Sequence, residues 1–211
     1  MKLAVFDFDS TLMDGETIDF FAEALGLGDE VAAITEEAMA GRMDFFMALV
    51  ARAKLLRGLD TSVAQEICAR LPVMPGAQET VDALKADGYR VICFSGGFRQ
   101  ATEPTAARLG LDADFANFLY ADSEGKLTGE VGGEMMYSDA KGDMLVRLQR
   151  LMGITRENTL VVGDGANDLS MFAHADTRVA FRARPILAEA ATHVVTQKDL
   201  RVILQALEIE R

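Results

Sequence analysis

The sequence has 211 residues, half of them hydrophobic, and a formal net charge of −12 at pH 7. This length suits one large domain, or one domain with a smaller insertion, and the apolar content is enough for a sizeable core. The acidic balance argues against nucleic acid and anionic membrane surfaces as partners, because both call for a basic face on the protein. A small-molecule substrate remains, and an anionic one would require local positive charge in its site.

Neither the cysteines nor the N-terminus indicates export. Cys68 and Cys93 form neither a metal-ligand pattern nor a disulfide framework. Four apolar residues precede Asp7, which is too few for a secretory signal. No apolar stretch approaches the roughly 20 residues that a membrane span needs. We therefore expect a cytoplasmic protein, and the sequence gives no indication of its oligomeric state.

Short apolar runs recur along the chain and alternate with helical patterns. Continuous apolarity in such runs favours buried strands of a parallel sheet that is covered on both faces. The predicted strands are residues 2–8, 89–95, 159–164, 178–181 and 192–196. The predicted helices are residues 76–88, 98–110, 141–153, 168–175 and 185–191. Alternating β and α units predict an α/β fold with a doubly wound parallel sheet.

Two stretches interrupt this alternation. Residues 14–74 contain no convincing strand, and their apolar residues recur at helical spacing. We expect a small helical cap domain at 14–74, inserted into a core domain made of residues 1–13 and 75–211. The second stretch, residues 117–133, has a Glu-Gly turn signal between β-prone flanks and is predicted to form a hairpin.

Polar residues cluster at the carboxyl ends of the predicted strands, where open α/β sheets bind ligands. Residues i and i+2 of an extended segment project to the same side, so Asp7 and Asp9 repel each other unless a cation lies between them. Either this pair faces bulk water or it holds a metal. The other candidates follow later strands or open the next helices: Ser95, Gly96, Lys141, Asp164, Asn167 and Asp168.

These residue types suit phosphoryl transfer. Ser95 and the Gly96 N–H, at a predicted helix N-terminus, can cradle phosphate oxygens. Asp7, Asp9 and Asp164 offer hard oxygen ligands without an accompanying His or Cys, and this donor set suits Mg²⁺ better than Zn²⁺.

The carboxylates of Asp7 and Asp9 are assigned different roles. We assign Asp7 as the nucleophile, because a carboxylate can form an acyl phosphate and divide one difficult displacement into two easier ones. Asp9 is assigned as the general acid toward the leaving oxygen and then as the general base for water. Mg²⁺ and Lys141 would neutralise charge, so that a carboxylate can approach a phosphate dianion.

The motifs "DFDSTLMDGETID", "SGG", "DAKG" and "VGDGANDLSMF", in this order, resemble those of the haloacid dehalogenase superfamily of phosphohydrolases. The resemblance covers essentially the whole chain, and the extended first motif with Glu16 narrows it to the branch that acts on phosphoserine. It implies a Rossmann-like core with a helical cap inserted after the first strand, in agreement with the insertion inferred from periodicity. It also implies Mg²⁺-dependent hydrolysis of O-phospho-L-serine to L-serine and phosphate through an aspartyl-phosphate, the last step of serine biosynthesis.

The resemblance also implies roles for single residues in the core. Mg²⁺ would be held by the Asp7 side chain, the Asp9 backbone carbonyl and Asp164, with Asp168 acting behind these ligands. The residues that match the family's phosphate-binding positions are Ser95, Gly96, Lys141 and Asn167.

In the cap, the resemblance implies how the rest of the substrate is bound. Glu16 matches the residue that binds the substrate ammonium, and Arg52 matches the one that binds its carboxylate. Both matches make physical sense, because a zwitterion needs one anion and one cation, and Arg can grip a carboxylate in bidentate fashion. Phe45 aligns with an apolar cap position that shields the site.

Three alternatives to phosphoserine hydrolysis stay open. The same chemistry could act on another small phosphomonoester, or transfer phosphate to an alcohol instead of water. From another class, a non-catalytic signalling domain would hold a stable phosphorylated aspartate. Such domains lack the helical insertion and the second aspartate that are present here.

Overall fold

The computed structural model describes residues 1–39 and 42–209 of the chain. Its strands are β1 Lys2–Asp7, β2 Tyr89–Phe98, β3 Ala113–Ala121, β4 Leu127–Gly133, β5 Thr159–Gly163, β6 Thr177–Phe181 and β7 His193–Val195. They form a single sheet in the order β4-β3-β2-β1-β5-β6-β7. All neighbouring strands are parallel except β3 and β4, which are antiparallel. The predicted α/β class and doubly wound parallel sheet are confirmed.

Helices connect these strands and fill the stretch after β1. They are α1 Thr17–Leu25, α2 Gly28–Met39, α3 Phe45–Leu55, α4 Thr61–Ala69, α5 Ala77–Ala86, α6 Arg99–Leu109, α7 Ala140–Met152, α8 Leu169–Phe172, α9 Pro185–Ala188 and α10 Arg201–Ala206. The helix predicted over 168–175 is shorter than expected, because a 3₁₀ turn over residues 166–168 precedes α8. Helix α10 was not predicted.

The sheet is buried on both faces, as the continuous apolar runs require. Successive side chains of a strand point to opposite faces. In β1, Ala4 and Phe6 belong to the core that includes residues of α5 and α10, and Leu3 and Val5 belong to the core that includes residues of α7 and α9. All four side chains are fully buried. A strand that is covered on both faces needs apolar side chains along its buried part. Its polar residues are therefore placed at its carboxyl end.

The predicted hairpin forms, but it belongs to the main sheet. Its first strand begins at Ala113, ahead of the expected range, and pairs with β2 in parallel before turning into β4. Asp112 fixes this start, because its carboxylate accepts the Val91 N–H at 2.8 Å. The opening sequence of β3 mixes aspartate and alanine with a single phenylalanine, which is weak evidence for a strand, so the pairing with β2 decides it.

The insertion after β1 is helical in its described part and consists of α1 to α4. At its base, the Asp14 N–H donates to the Pro72 carbonyl at 2.9 Å. Its α3–α4 turn contacts the hairpin, where Gly58 donates to Leu127 and Leu127 donates to Leu59, each at 2.8 Å. The insertion is therefore attached to the sheet at two separate places.

No helix within the described residues has both the length and the hydropathy needed to cross a membrane.

Candidate active site

A cavity of about 580 Å³ lies between the carboxyl edge of the sheet and helices α1 to α3. Most of the predicted site residues line it: Asp7, Asp9, Glu16, Arg52, Gly96, Asp164 and Asn167. Ser95 and Lys141 are buried behind this lining, and each contacts a residue that belongs to it. The fold therefore brings all the predicted site residues together at one edge of the sheet, and their individual roles remain predictions.

The chain turns sharply where β1 ends. The Asp7 carboxylate accepts the N–H of Phe8 at 2.7 Å. Ser10 adopts a left-handed backbone conformation with φ of 57°, and its N–H donates to the Gly15 carbonyl at 2.8 Å. A positive φ in a residue other than glycine is strained and persists only where the surroundings fix it. This turn lets both Asp7 and Asp9 line the same cavity.

Asp9 is held by the first residue of the insertion's helix α1. The N–H and the hydroxyl of Thr17, the first residue of α1, donate to the same Asp9 oxygen at 2.7 and 2.6 Å. Burial raises the pKa of Asp9, and these hydrogen bonds oppose the rise. A raised pKa favours the protonated carboxyl group that a general acid requires.

Lys141 links two buried carboxylates. Its Nζ lies 2.6 Å from Asp7 Oδ1 and 2.6 Å from Asp168 Oδ1, and all three side chains are nearly inaccessible to solvent. Burial by itself lowers the pKa of Lys141, but Asp168 and Asp7 outweigh it and raise the pKa above its ordinary value. The lysine therefore remains charged and partly neutralises the acidic cluster.

Both carboxylate oxygens of Asp168 have partners within the protein. One oxygen contacts Lys141, and the other accepts the N–H groups of Asp164 at 3.0 Å and Gly165 at 3.2 Å. The loop after β5 is therefore fixed by a carboxylate three to four residues further along the chain. Such hydrogen bonds orient Asp164 toward the cavity that it lines.

Asp7, Asp164 and Asp168 each offer an oxygen atom within 4.8 Å of the others. Burial raises the pKa of Asp164 to about 6, with a further contribution from Asp168. Burial and Asp168 also raise the pKa of Asp7 well above its ordinary value. These carboxylates hold more negative charge than Lys141 balances, and their donor atoms are all oxygen, so the group fits a hard divalent cation.

The last part of β2, where its pairing with β3 becomes irregular, has no room for side chains at its glycines. A Cβ atom at Gly96 would lie 2.8 Å from Cζ of Phe45, and one at Gly97 would lie 2.8 Å from Oδ2 of Asp9. The Gly97 N–H donates to Ser95 Oγ at 2.9 Å. Because Gly96 lacks a side chain, the Phe45 ring of α3 lies directly against it, and the insertion and the sheet meet there.

An acidic and a basic side chain, Glu16 and Arg52, line the cavity from the insertion after β1. Glu16 accepts a hydrogen bond from the Ser10 hydroxyl at 2.6 Å, and burial, with the nearby Asp9 carboxylate, raises the pKa of Glu16 to about 8. The Arg52 Nε donates to the Ala48 carbonyl one turn earlier in α3, at 3.3 Å. Because the pKa of Glu16 is raised to about 8, an ammonium group beside it would favour its ionised form. Together with the Arg52 guanidinium, it then suits a ligand that carries both an ammonium and a carboxylate.

Thr17 and Arg184 are among the cavity residues that sequence reasoning missed. Thr17 holds Asp9, and its only signal was its place near the start of the stretch 14–74 that was predicted to be helical. Arg184 lines the cavity, and its backbone N–H donates to the Asp164 carbonyl at 2.9 Å. Arg184 could have been found from its position in the sequence. It follows a strand that ends at the ligand-binding edge and stands immediately before Pro185 and a predicted helix.

The chain matches known proteins over nearly its whole length. The family model of the haloacid dehalogenase-like hydrolases matches residues 1–176. The phosphoserine phosphatase of Wolinella succinogenes is 58% identical over 207 residues, which cover 98% of this chain and 100% of the relative. The phosphoserine phosphatase of Methanocaldococcus jannaschii is 44% identical over 207 residues, 98% of each chain.

Solved structures agree with this family and fold. A phospho-aspartyl intermediate analogue of phosphoserine phosphatase superposes with a TM-score of 0.92 at 45% identity, covering 97% of this chain and 98% of the other. A substrate-bound phosphoserine phosphatase complex superposes with a TM-score of 0.91 at 44% identity, covering 97% of both chains. The chain therefore belongs to the haloacid dehalogenase-like hydrolases, in their phosphoserine phosphatase branch.

Proposed function

We propose that this protein hydrolyses O-phospho-L-serine to L-serine and phosphate, the last step of serine biosynthesis. The observation that carries the proposal is one cavity lined both by the Asp7 and Asp9 side chains and by the acidic Glu16 and the basic Arg52. A phosphorylated amino acid presents the complementary phosphate, ammonium and carboxylate groups. The 58% identical relative from Wolinella succinogenes bears the name of this activity.

The proposed reaction has two halves. In the first, an Asp7 oxygen attacks the phosphorus atom, the bond to the serine oxygen breaks, and Asp9 donates its proton to that oxygen. In the second, Asp9 takes a proton from water, whose oxygen attacks the same phosphorus and releases phosphate and the Asp7 carboxylate. The solved phospho-aspartyl intermediate analogue of a relative supports the covalent step.

Phosphate binding is assigned to residues on three segments of the core: the last part of β2, the first turn of α7 and the 3₁₀ turn after β5. The residues are Ser95, Gly96, Lys141 and Asn167. The transition state of phosphoryl transfer spreads negative charge over the equatorial oxygens, so these groups contribute mainly by position and electrostatics. The contact between Lys141 and Asp7 brings positive charge close to the attacking oxygen.

For the metal we propose Mg²⁺, held by the carboxylates of Asp7 and Asp164 and by the backbone carbonyl of Asp9. Bound there, the ion would supply the positive charge that lets a carboxylate approach a phosphate dianion. Asp168 is assigned to positioning, because Lys141 and two backbone amides already engage its oxygens.

Residues 14–74 are proposed to act as a cap domain over a core of residues 1–13 and 75–211. The contact of Phe45 with Gly96 supports this role, because it closes the cavity above the predicted phosphate site. Opening of such a cap would admit the substrate, and closing would exclude bulk water. The cytoplasmic location expected from the sequence stays a prediction.

The activity is tested by phosphate release from a panel of phosphorylated amino acids, sugars and nucleotides, first with Mg²⁺ and then with EDTA. We expect phosphoserine to be the preferred substrate and release to stop after chelation. A clear preference for a sugar phosphate would defeat the assignment, and so would a stable phosphoaspartate without release of phosphate.

Arg52→Ala should lower kcat/KM for phosphoserine by about 100-fold, the effect of losing a charged hydrogen-bonded contact. Hydrolysis of p-nitrophenyl phosphate, which has no carboxylate, should change by less than about threefold. Lys54→Ala, on the same helix but outside the cavity lining, is the matched control. Equal losses with both substrates would remove the carboxylate-binding role from Arg52.

Mg²⁺ affinity should fall as the pH decreases through about 6. Without the ion, the pKa of Asp164 is raised to about 6, and a carboxylate must lose its proton to bind a metal. Below that pH, competition with one proton weakens binding about tenfold per pH unit. Calorimetric titration with MgCl₂ at several pH values checks this, and Asp164→Asn should both weaken binding and flatten its pH dependence. Affinity that stays constant from neutral pH to well below 6 would contradict the expectation.

A further inference from the structure

One buried amide side chain contacts two of the segments that carry predicted phosphate-binding residues. Asn117 lies on β3 and is fully buried. Its Nδ2 donates to the Gly96 carbonyl and to the Met135 carbonyl, each at 3.1 Å. Its Oδ1 accepts the Met135 N–H at 2.9 Å. Both amide protons and the oxygen are thus used, and all of these bonds go to backbone groups outside β3.

The bond to Gly96 holds the irregular last part of β2. The peptide unit between Gly96 and Gly97 is held at both ends, with its carbonyl on Asn117 and its N–H on Ser95 Oγ at 2.9 Å. Glycine tolerates many backbone conformations, so a Gly-Gly peptide does not keep one orientation by itself. With the Gly97 N–H donating to Ser95, the Ser95 hydroxyl proton is left to point toward an anion in the cavity.

The hydrogen bonds to Met135 affect the position of Lys141. Met135 is buried in the segment that connects β4 to α7, and Lys141 is the second residue of α7. Because Asn117 forms hydrogen bonds with both the carbonyl and the N–H of Met135, it fixes where this segment leaves the sheet. Gly133 permits the close approach, because a Cβ there would lie 2.6 Å from the Asn117 Cα atom.

We propose that Asn117 is a positioning residue that holds the Gly96–Gly97 peptide and the segment before Lys141 in the orientation that binds the phosphate group. The proposal rests on the proposed function for its catalytic consequence. It deepens that function by assigning the geometry of the phosphate site to a residue that lies outside the cavity lining.

The test compares Asn117→Ala with Gln149→Ala. Gln149 is also a buried amide that donates twice, to Thr159 Oγ1 at 3.0 Å and to the His174 carbonyl at 2.9 Å, but it contacts the opposite end of the sheet. Asn117→Ala should lower kcat/KM at least about tenfold and weaken inhibition by inorganic phosphate to a similar extent, as expected for misplaced binding groups. Gln149→Ala should leave both within about twofold while losing comparable thermal stability.

A second readout does not depend on catalysis. Hydrogen exchange of the Gly97 amide, followed by NMR, should speed up at least about tenfold in Asn117→Ala and stay unchanged in Gln149→Ala. Asn117→Asp keeps the size and the acceptor but removes the donors, so it should behave as Asn117→Ala does and serves if the alanine variant does not fold. Unchanged Gly97 exchange and unchanged phosphate inhibition in either folded Asn117 variant would overturn the proposal. A wild-type protein inactive on phosphoserine would refute the proposed function alone, because the exchange measurement would still test Asn117.

Discussion

Asp7→Asn should lower phosphate release from phosphoserine by at least about 10⁴-fold, the scale of losing a nucleophile. The asparagine amide is too weak a nucleophile to attack phosphorus, so the covalent half-reaction does not begin. The fold should survive, because asparagine has the same shape and its side-chain oxygen can still accept the Phe8 N–H and contact Lys141. Steady-state phosphate release with saturating Mg²⁺ measures the loss.

Thermal unfolding in EDTA separates this loss from misfolding. Burial raises the pKa of Asp7 well above its ordinary value, so the folded state disfavours the ionised form. The unfolded chain binds fewer protons at neutral pH, and the buried charge therefore reduces stability there. Asp7→Asn removes that charge and should unfold at the same temperature as the wild type or at a higher one.

The control for Asp7→Asn makes the same chemical change on the surface. Asp176 forms an exposed pair with Arg156 at 3.2 Å, so Asp176→Asn should keep wild-type turnover. If folded Asp7→Asn protein retained turnover within about tenfold of the wild type, Asp7 would not be the nucleophile.

Asp9→Asn should separate the two half-reactions. Serine leaves poorly without a proton, so the first half should become slow with phosphoserine. p-Nitrophenolate leaves without protonation, so p-nitrophenyl phosphate should give a burst of one product molecule per active site. The second half needs a base for water, and phosphoenzyme should therefore accumulate. Rapid mixing with p-nitrophenyl phosphate, followed by acid quench and detection of protein-bound phosphate, checks both expectations.

A second carboxylate in the same cavity is the control for Asp9→Asn. Asp19 lines the cavity from α1, and Asp19→Asn should not accumulate phosphoenzyme. Phosphoenzyme that decays in Asp9→Asn as fast as in the wild type would show that another group activates water. A burst of equal size with phosphoserine would show that another group protonates the leaving oxygen.

Much of the fold follows from local sequence. The uninterrupted apolar run from Leu3 to Phe6 of β1 gives side chains to both cores, and the strand ends at the polar residue that follows it, Asp7. The same pattern located β2, β5, β6 and β7, and helical spacing identified the insertion after β1. These features depend on residues a few positions apart, so periodicity and residue type are enough to reveal them.

Other features were not visible because they depend on distant residues. The N-terminal half of β3 became a strand by pairing with β2, although its own composition indicates one only weakly. Thr17 was not assigned a role, since nothing in its immediate neighbours indicates that it would bind Asp9. Asn117 is an unremarkable amide in the sequence, and it acquires its role from contacts with residues 21 positions before it and 18 after it.

The sequence by itself determined the α/β class, the helical insertion and the set of polar residues that meets at the carboxyl edge of the sheet. Parallel strands must end at a common edge, so ordering the motifs along the chain was enough to bring them together. Tertiary structure decided which of these groups touch. Lys141 and Asp168 are 27 residues apart, and only the docking of α7 beside the loop after β5 places one charge between two buried carboxylates. Burial raises the pKa of Asp7 in this cluster, and burial is a property of the packed fold that no local pattern encodes.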